Sequence, residues 1–191
     1  NLLVGAPAAW AISRLRFRGR SMVRGLYIVL MLLPFQVTMV PSYLVLRQFG
    51  LLDTPWAIIL PGIFSTFPVF IMERGFDTIP REVLESASID GANQWQRFWR
   101  IGIPLGIPGL ISALTLGFLD AWNAIEQPMT FLESPQYWPL SLFFTDPANL
   151  DTKQLGLAMA ASLWMLRPSI LVFRFGQTYL EAGLTKGAVK G

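Results

Sequence analysis

Residues 85–104 read ESASIDGANQWQRFWRIGIP. They close a polar, charged stretch, Glu73–Ile103, that lies between two apolar segments, each long enough to cross a bilayer. Within it Glu85, Ala87, Gly91, Ile101 and Pro104 are spaced E-x-A-x(3)-G-x(9)-I-x-x-P. Pro80 pre-sets φ for a first helical turn, with Asp77 or Thr78 as the expected cap. Val83, Leu84 and Ala87 give that helix a narrow apolar face, opposite Arg81, Glu82, Glu85 and Ser86. Asp90-Gly91 should break it, since glycine permits φ > 0. Asp90 is then the expected cap of a second short helix from Ala92 to about Arg100. Trp95, Phe98 and Trp99 fall on one face of that helix at i, i+3, i+4, and Gly102 and Pro104 are expected to end it.

The rest of the chain reads as lipid-solvated. Of 191 residues 53% are apolar and 14% charged, against about 25% charged in an average soluble domain. Mean hydropathy is +0.47. The apolar residues are blocked into spans near 22–46, 55–75, 105–131 and 155–180, and residues 1–13 look like the tail of another. The fold class expected is an all-α membrane protein, a polytopic helical bundle, with the chain a C-terminal part of a longer one. A signal peptide is a poorer reading of 1–13, because the basic cluster follows the apolar stretch. The chain has neither cysteine nor histidine, which excludes disulfides, thiolate catalysis and His-based acid–base chemistry. No metal site, catalytic residue or cofactor is expected.

The placement of the basic residues orients the spans. Arg14, Arg16, Arg18, Arg20 and Arg24 crowd the first hydrophilic connection, Arg74, Arg81, Arg97 and Arg100 the third, and Lys186 and Lys190 the tail. That makes eleven, against Arg47 and Lys153 in the alternate connections. Short loops rich in Lys and Arg stay in the cytoplasm. The segments 14–24 and 73–104 and the C-terminus are therefore expected inside, and 47–54 and 132–154 outside. The run RLRFRGR at 14–20 is compatible with nucleic-acid binding, but its position directly after an apolar segment makes membrane anchoring the better account. Seven prolines punctuate the spans, either as packing kinks or as kinks that line a cavity.

The spacing at 85–104 resembles the EAA loop of ABC importer permeases, the element on which the ATPase docks. The resemblance extends through RFRGR (16–20), LRQFGLLDTPWAIILP (46–61), RGFDTIPREVLESASIDGA (74–92), FWRIGIPLGIPGL (98–110), AWN (121–123) and GLTKGAVKG (183–191). Together these resemble the maltose-type permeases, the membrane subunits of carbohydrate importers. The resemblance implies a type I importer transmembrane domain over 1–191, with a cytoplasmic docking loop at 77–104. Glu85, Ser86, Ala87, Asp90, Gly91, Ile101 and Pro104 are carried over as docking positions, and Gly183, Thr185, Gly187 and Lys190 as a tail directed to the ATPase. The implied partners are an ABC ATPase dimer, a second homologous permease, an extracytoplasmic solute-binding protein, a carbohydrate and the lipid bilayer, with no nucleic acid. The implied location is the bacterial cytoplasmic (inner) membrane, multi-pass.

Three positions depart from the family pattern: Ser86 where Ala is usual, and the charges Glu126 and Arg167 within spans. A charge at bilayer depth costs on the order of 3 kcal/mol unless it meets a cavity or partner. Glu126 and Arg167 are read as a pair or as lining a translocation path, the alternatives being snorkelling or a misplaced boundary. Asn123 is expected on that path, with Trp122 stacking on a sugar face or simply packing. No G-x(4)-G-K-[ST] occurs, so ATP hydrolysis is expected from a separate subunit and the chain is not expected to be an enzyme. Two other classes remain at this point: an ion-coupled transporter using Asp120 and Glu126, and a membrane scaffold. Polyol or glycerol phosphodiester uptake is compatible as well.

Overall fold

The computed structural model describes residues 1–143 and 155–188. All its regular elements there are helical: α1 (Leu2–Arg14), α2 (Arg20–Leu32), α3 (Phe35–Gln48), α4 (Trp56–Ile63), α5 (Thr66–Asp77), α6 (Arg81–Ile89), α7 (Gln94–Arg97), a π turn (Phe98–Gly102), α8 (Ile103–Trp122), α9 (Glu126–Phe131), a 3₁₀ turn (Pro135–Tyr137), α10 (Leu140–Phe143) and α11 (Leu155–Ala188). Among the described residues, three stretches are long and apolar enough to cross a membrane: Trp56–Asp77, Gln94–Trp122 and Gly156–Leu180. There are four if Arg20–Leu32 and Phe35–Gln48 count as one broken span.

Prolines explain where the expected spans are interrupted. A proline ring has no N–H and clashes with the carbonyl four residues earlier. The expected 22–46 span breaks at Leu33–Pro34, where Pro34 takes extended backbone (φ −66°, ψ 150°) and caps α3. The 55–75 span is interrupted at Phe64–Ser65, and Phe64 lies four residues before Pro68. The 105–131 span stops at Trp122 and resumes at Glu126, and Ala124 in that gap lies four residues before Pro128. The Ser141 hydroxyl donates to the carbonyl of Ala124 at 2.6 Å. A side chain thus replaces the donor that Pro128 lacks.

The chain forms two compact units, Asn1–Leu32 with Ile63–Gly117 and Phe175–Gly191, and Leu33–Gly62 with Phe118–Arg174. The first is built on α1, α5 and α8. Its core holds Ala6, Ala9, Trp10, Val69, Met72, Phe76, Phe98, Leu110 and Ala113. In lipid, helices gain little from burying one apolar surface on another, and close van der Waals approach between small residues holds them. Gly102, Gly106, Gly109, Ala113 and Gly117 lie at successive four- and three-residue steps along one helical path. A Cβ on Gly102 would lie 2.6 Å from the Trp10 ring, one on Gly106 2.6 Å from Phe76, and one on Gly109 2.6 Å from the Cα of Gly75. At Gly75–Gly109 two backbones touch, so no side chain can yield there.

The second unit has a smaller core of Leu46, Ala57, Phe131 and Leu132, with Phe35 edge-on to Phe131 at 5.8 Å between centroids. Asp53, at φ +54°, closes it. Its Oδ1 accepts the amide N–H groups of Glu133 at 2.9 Å and Ser134 at 2.7 Å, and its Oδ2 accepts the Ser134 hydroxyl at 2.5 Å. The Ser134 hydroxyl, followed by the Ser134 amide, holds the Asp53 carboxyl below its ordinary range.

Candidate functional site: the docking loop

Helix α6 is exposed along most of its length; only Leu84 reaches the core, and Ala87 is half-buried. Pro80 is its N-cap and makes no side-chain bond. This corrects the expected cap. Asp77 belongs to α5 and accepts bonds from Ser13 and Arg24, while Thr78 donates to the carbonyl of Gly75 at 2.8 Å. The turn after α6 is formed by paired backbone bonds. The Gly91 N–H donates to the carbonyl of Ser88 at 3.1 Å and the Ala92 N–H to that of Ala87 at 2.9 Å. This is the Schellman pattern, which needs a left-handed residue just past the cap; Gly91 supplies it at φ +81°.

Asp90 does not cap the next helix, which is a second correction. Two residues are used up by the Schellman turn, and Asn93 becomes the cap. Its Oδ1 accepts the Gln96 N–H at 2.8 Å, and the Gln96 Oε1 accepts the Asn93 N–H at 2.9 Å. The N-x-x-Q spacing at 93–96 was the available signal for this reciprocal box. Nor do Gly102 and Pro104 end the second helix: Gln94–Trp122 is one continuous stretch. Pro104 would clash with the carbonyl of Arg100 in a regular helix. Instead the chain widens to a π turn, with the Ile103 N–H donating to the carbonyl of Phe98.

The aromatic face divides. Phe98 is 2% exposed, whereas Trp95 is 61% and Trp99 50% exposed. The result is an exposed platform of α6, the Asp90–Gly91 turn and two indoles, fixed to the core through Phe98. Glu85, Ser86, Asp90, Gly91 and Pro104 are exposed and Ile101 is partly buried. Of the tail positions, Gly183, Thr185 and Gly187 lie within α11, which carries on past the Gly156–Leu180 apolar stretch to Ala188. Lys190 lies outside the described residues.

In the second unit Glu126 and Arg167 do not pair with each other. Glu126 accepts the Gln36 side-chain amide at 2.7 Å, and the Arg167 guanidinium sits over the Trp164 ring at 4.8 Å. Trp122 stacks on Phe118 at 5.6 Å and donates its indole N–H to the carbonyl of Met165 at 3.0 Å, so it is engaged in packing. Asn123 is exposed and donates back to the carbonyl of Leu119 at 2.7 Å, which leaves its amide oxygen available as an acceptor. Gln36 was missed in the sequence, as nothing local marks it.

Long apolar helices, close glycine packing and an exposed helix–turn–helix platform fit a helical membrane permease domain. The chain belongs to the family of binding-protein-dependent transport system inner membrane components, whose match covers residues 1–186. It is 33% identical to an inner membrane ABC transporter permease protein, YcjP, of Escherichia coli, over 100% of this chain and 69% of the relative. It is 32% identical to the diacetylchitobiose uptake system permease protein DasC of Streptomyces coelicolor, over 100% of this chain and 70% of that one. To the arabinooligosaccharides transport system permease protein AraQ of Bacillus subtilis it is 30% identical, over 100% of this chain and 68% of the relative. It is therefore a transport permease component of an ABC system, and the ion-coupled and scaffold readings give way.

Proposed function

We propose that this chain is the membrane subunit through which an ATP-driven importer passes a carbohydrate delivered by an extracytoplasmic solute-binding protein. A separate ATPase dimer docks on α6 and the Asp90–Gly91 turn, and a second homologous permease completes the pathway. The observation that carries the reading is the platform itself, a Schellman turn at Gly91 that leaves Glu85 and Asp90 exposed. The carbohydrate class is supported by relatives named for diacetylchitobiose, arabinooligosaccharide and lactose transport.

A carboxylate at Glu85 meets a basic residue of the ATPase in a partly desolvated pair. Breaking such a pair costs about 2–5 kcal/mol at an interface. Glu85→Lys in the full-length subunit is expected to remain in the membrane, to lose co-purification with the ATPase, and to reduce transport by at least about tenfold. Retention of the ATPase and normal transport would remove the docking role.

The positive-inside asymmetry supports a cytoplasmic docking loop and C-terminus in the inner membrane. A fluorescent reporter that matures only in the cytoplasm, fused after Gly191, is expected to be bright. A dark fusion alongside an active periplasmic one inverts the topology.

Asn123 and the Gln36–Glu126 pair offer donors and acceptors to sugar hydroxyls along the path. Asn123→Leu is expected to lower uptake by about three- to tenfold, the scale of one hydrogen bond, at unchanged membrane abundance. Wild-type uptake by that variant takes Asn123 off the path.

A further inference from the structure

Both arms of the docking loop converge on a single turn of α1. Trp10, Ser13 and Arg14 share one face at i, i+3 and i+4. On the outgoing arm, Pro80 caps α6 and has no N–H, so the carbonyl of Phe76 four residues earlier takes the Ile79 N–H at 3.1 Å in place of an i+4 donor. Arg14 adds side-chain donors there. Its Nε donates to the Phe76 carbonyl at 3.0 Å, and its Nη2 donates to that same carbonyl and to the carbonyl of Ile79 at 2.6 Å. Beside it, the Ser13 hydroxyl donates to Asp77 Oδ1 at 2.7 Å, and the opposite oxygen, Asp77 Oδ2, accepts from Arg24 Nη2 at 2.9 Å. Arg24 also pairs with the buried Glu73 through its Nε. On the returning arm, the Trp10 ring packs on Phe98 at 5.8 Å and closes over Gly102.

We propose that the last turn of α1 is the lever through which movement of the docking loop reaches the membrane helices, with Arg14 as its positioning residue. The geometry favours arginine over lysine. The planar guanidinium fork meets the carbonyls of Phe76 and Ile79, at and just past the C-terminal end of α5, in one fixed geometry, which an ammonium on a flexible stem does not hold. Neither Arg14 nor Ser13 lies on the exposed platform, so the role is transmission rather than contact with the ATPase. The inference rests on the docking reading given above.

The test uses the full-length subunit in the assembled importer, reconstituted in proteoliposomes, with ATP hydrolysis and substrate uptake measured together. Arg14→Gln is expected to keep the ATPase at normal stoichiometry. Its ATP consumed per substrate transported should rise by about tenfold, equivalent to about 1.4 kcal/mol of lost coupling. Arg14→Lys should fall between it and the wild type. Ser13→Ala, which removes only the bond to Asp77, should shift the ratio in the same direction by less. An unchanged ratio in all three variants overturns the proposal, as does a loss of transport that only tracks membrane abundance. If Glu85→Lys releases the ATPase while Arg14→Gln leaves the ratio intact, this inference alone fails. If Glu85→Lys also leaves docking and transport intact, the docking reading fails first.

Discussion

Gly109→Leu is expected to be the most destabilising single substitution in the first unit. A Cβ at this position would lie 2.6 Å from the Cα of Gly75 and 3.4 Å from its backbone nitrogen. The obstacle is main chain, so no rotamer change relieves it, and α5 and α8 must separate. Overpacking a close-packed core costs about 1–3 kcal/mol, and a backbone contact lies at the upper end. At about 2–4 °C per kcal/mol for a chain of this size, the thermal midpoint of the purified subunit should fall by about 6–12 °C. Gly75→Leu should act likewise, because its Cβ would lie 2.7 Å from the Cα of Gly109. Gly25→Ala, in a helix with nothing within 4 Å, is the control and should leave the midpoint in place. A Gly109→Leu subunit that melts with the wild type would mean that the two helices do not meet at these glycines.

The parts of this chain that are legible in its sequence are those fixed by local chemistry. Gly91 follows an acid at the end of an amphipathic stretch, and a left-handed residue there, a conformation glycine adopts without strain, completes the paired backbone bonds. Blocked apolar residues likewise mark the membrane helices without reference to anything distant. The misses have two physical origins. Some concern the reach of a proline, which acts on the carbonyl four residues earlier: Pro68, Pro104 and Pro128 each alter the chain upstream of themselves, at Phe64, Arg100 and Ala124. A second set depends on pairing across the sequence. Counting Arg14, Arg20 and Arg24 as positive-inside charges says nothing of where they go. Arg20 donates to the carbonyls of Ile12 and Ser13 at 2.6 Å, while Arg14 reaches carbonyls more than sixty residues away. Their charge can anchor the chain against the bilayer, but the donors of Arg14 and Arg20 are committed to helix-end carbonyls and those of Arg24 to the carboxylates of Glu73 and Asp77. The stripe from Gly102 to Gly117 was readable in principle as small residues at helical spacing. Its partners, Trp10, Phe76 and Gly75, were not.

Gly91→Val is expected to uncouple transport while leaving the fold intact. Nothing lies within 4 Å of a Cβ built on Gly91, so the cost is conformational rather than steric against neighbours. At φ +81° an L-residue is strained by about 1–2 kcal/mol, and a β-branched one by more. Valine relieves that strain by leaving the left-handed region. Doing so breaks the bonds from Gly91 N–H to Ser88 and from Ala92 N–H to Ala87, and it re-aims the segment that Asn93 caps. Phe98 remains held by Trp10 and Phe76, so membrane abundance and the thermal midpoint should stay close to wild type. Transport should fall by at least about tenfold, and the ATPase should co-purify poorly. Asparagine tolerates the left-handed region better than any β-branched residue, so Gly91→Asn should retain most of the activity that Gly91→Val loses. Equal damage from both would place the fault in a Cβ against the ATPase surface rather than in the backbone of the turn. Full transport by Gly91→Val would show that the importer does not need the turn, and with it the platform would lose its claim to be where the ATPase docks.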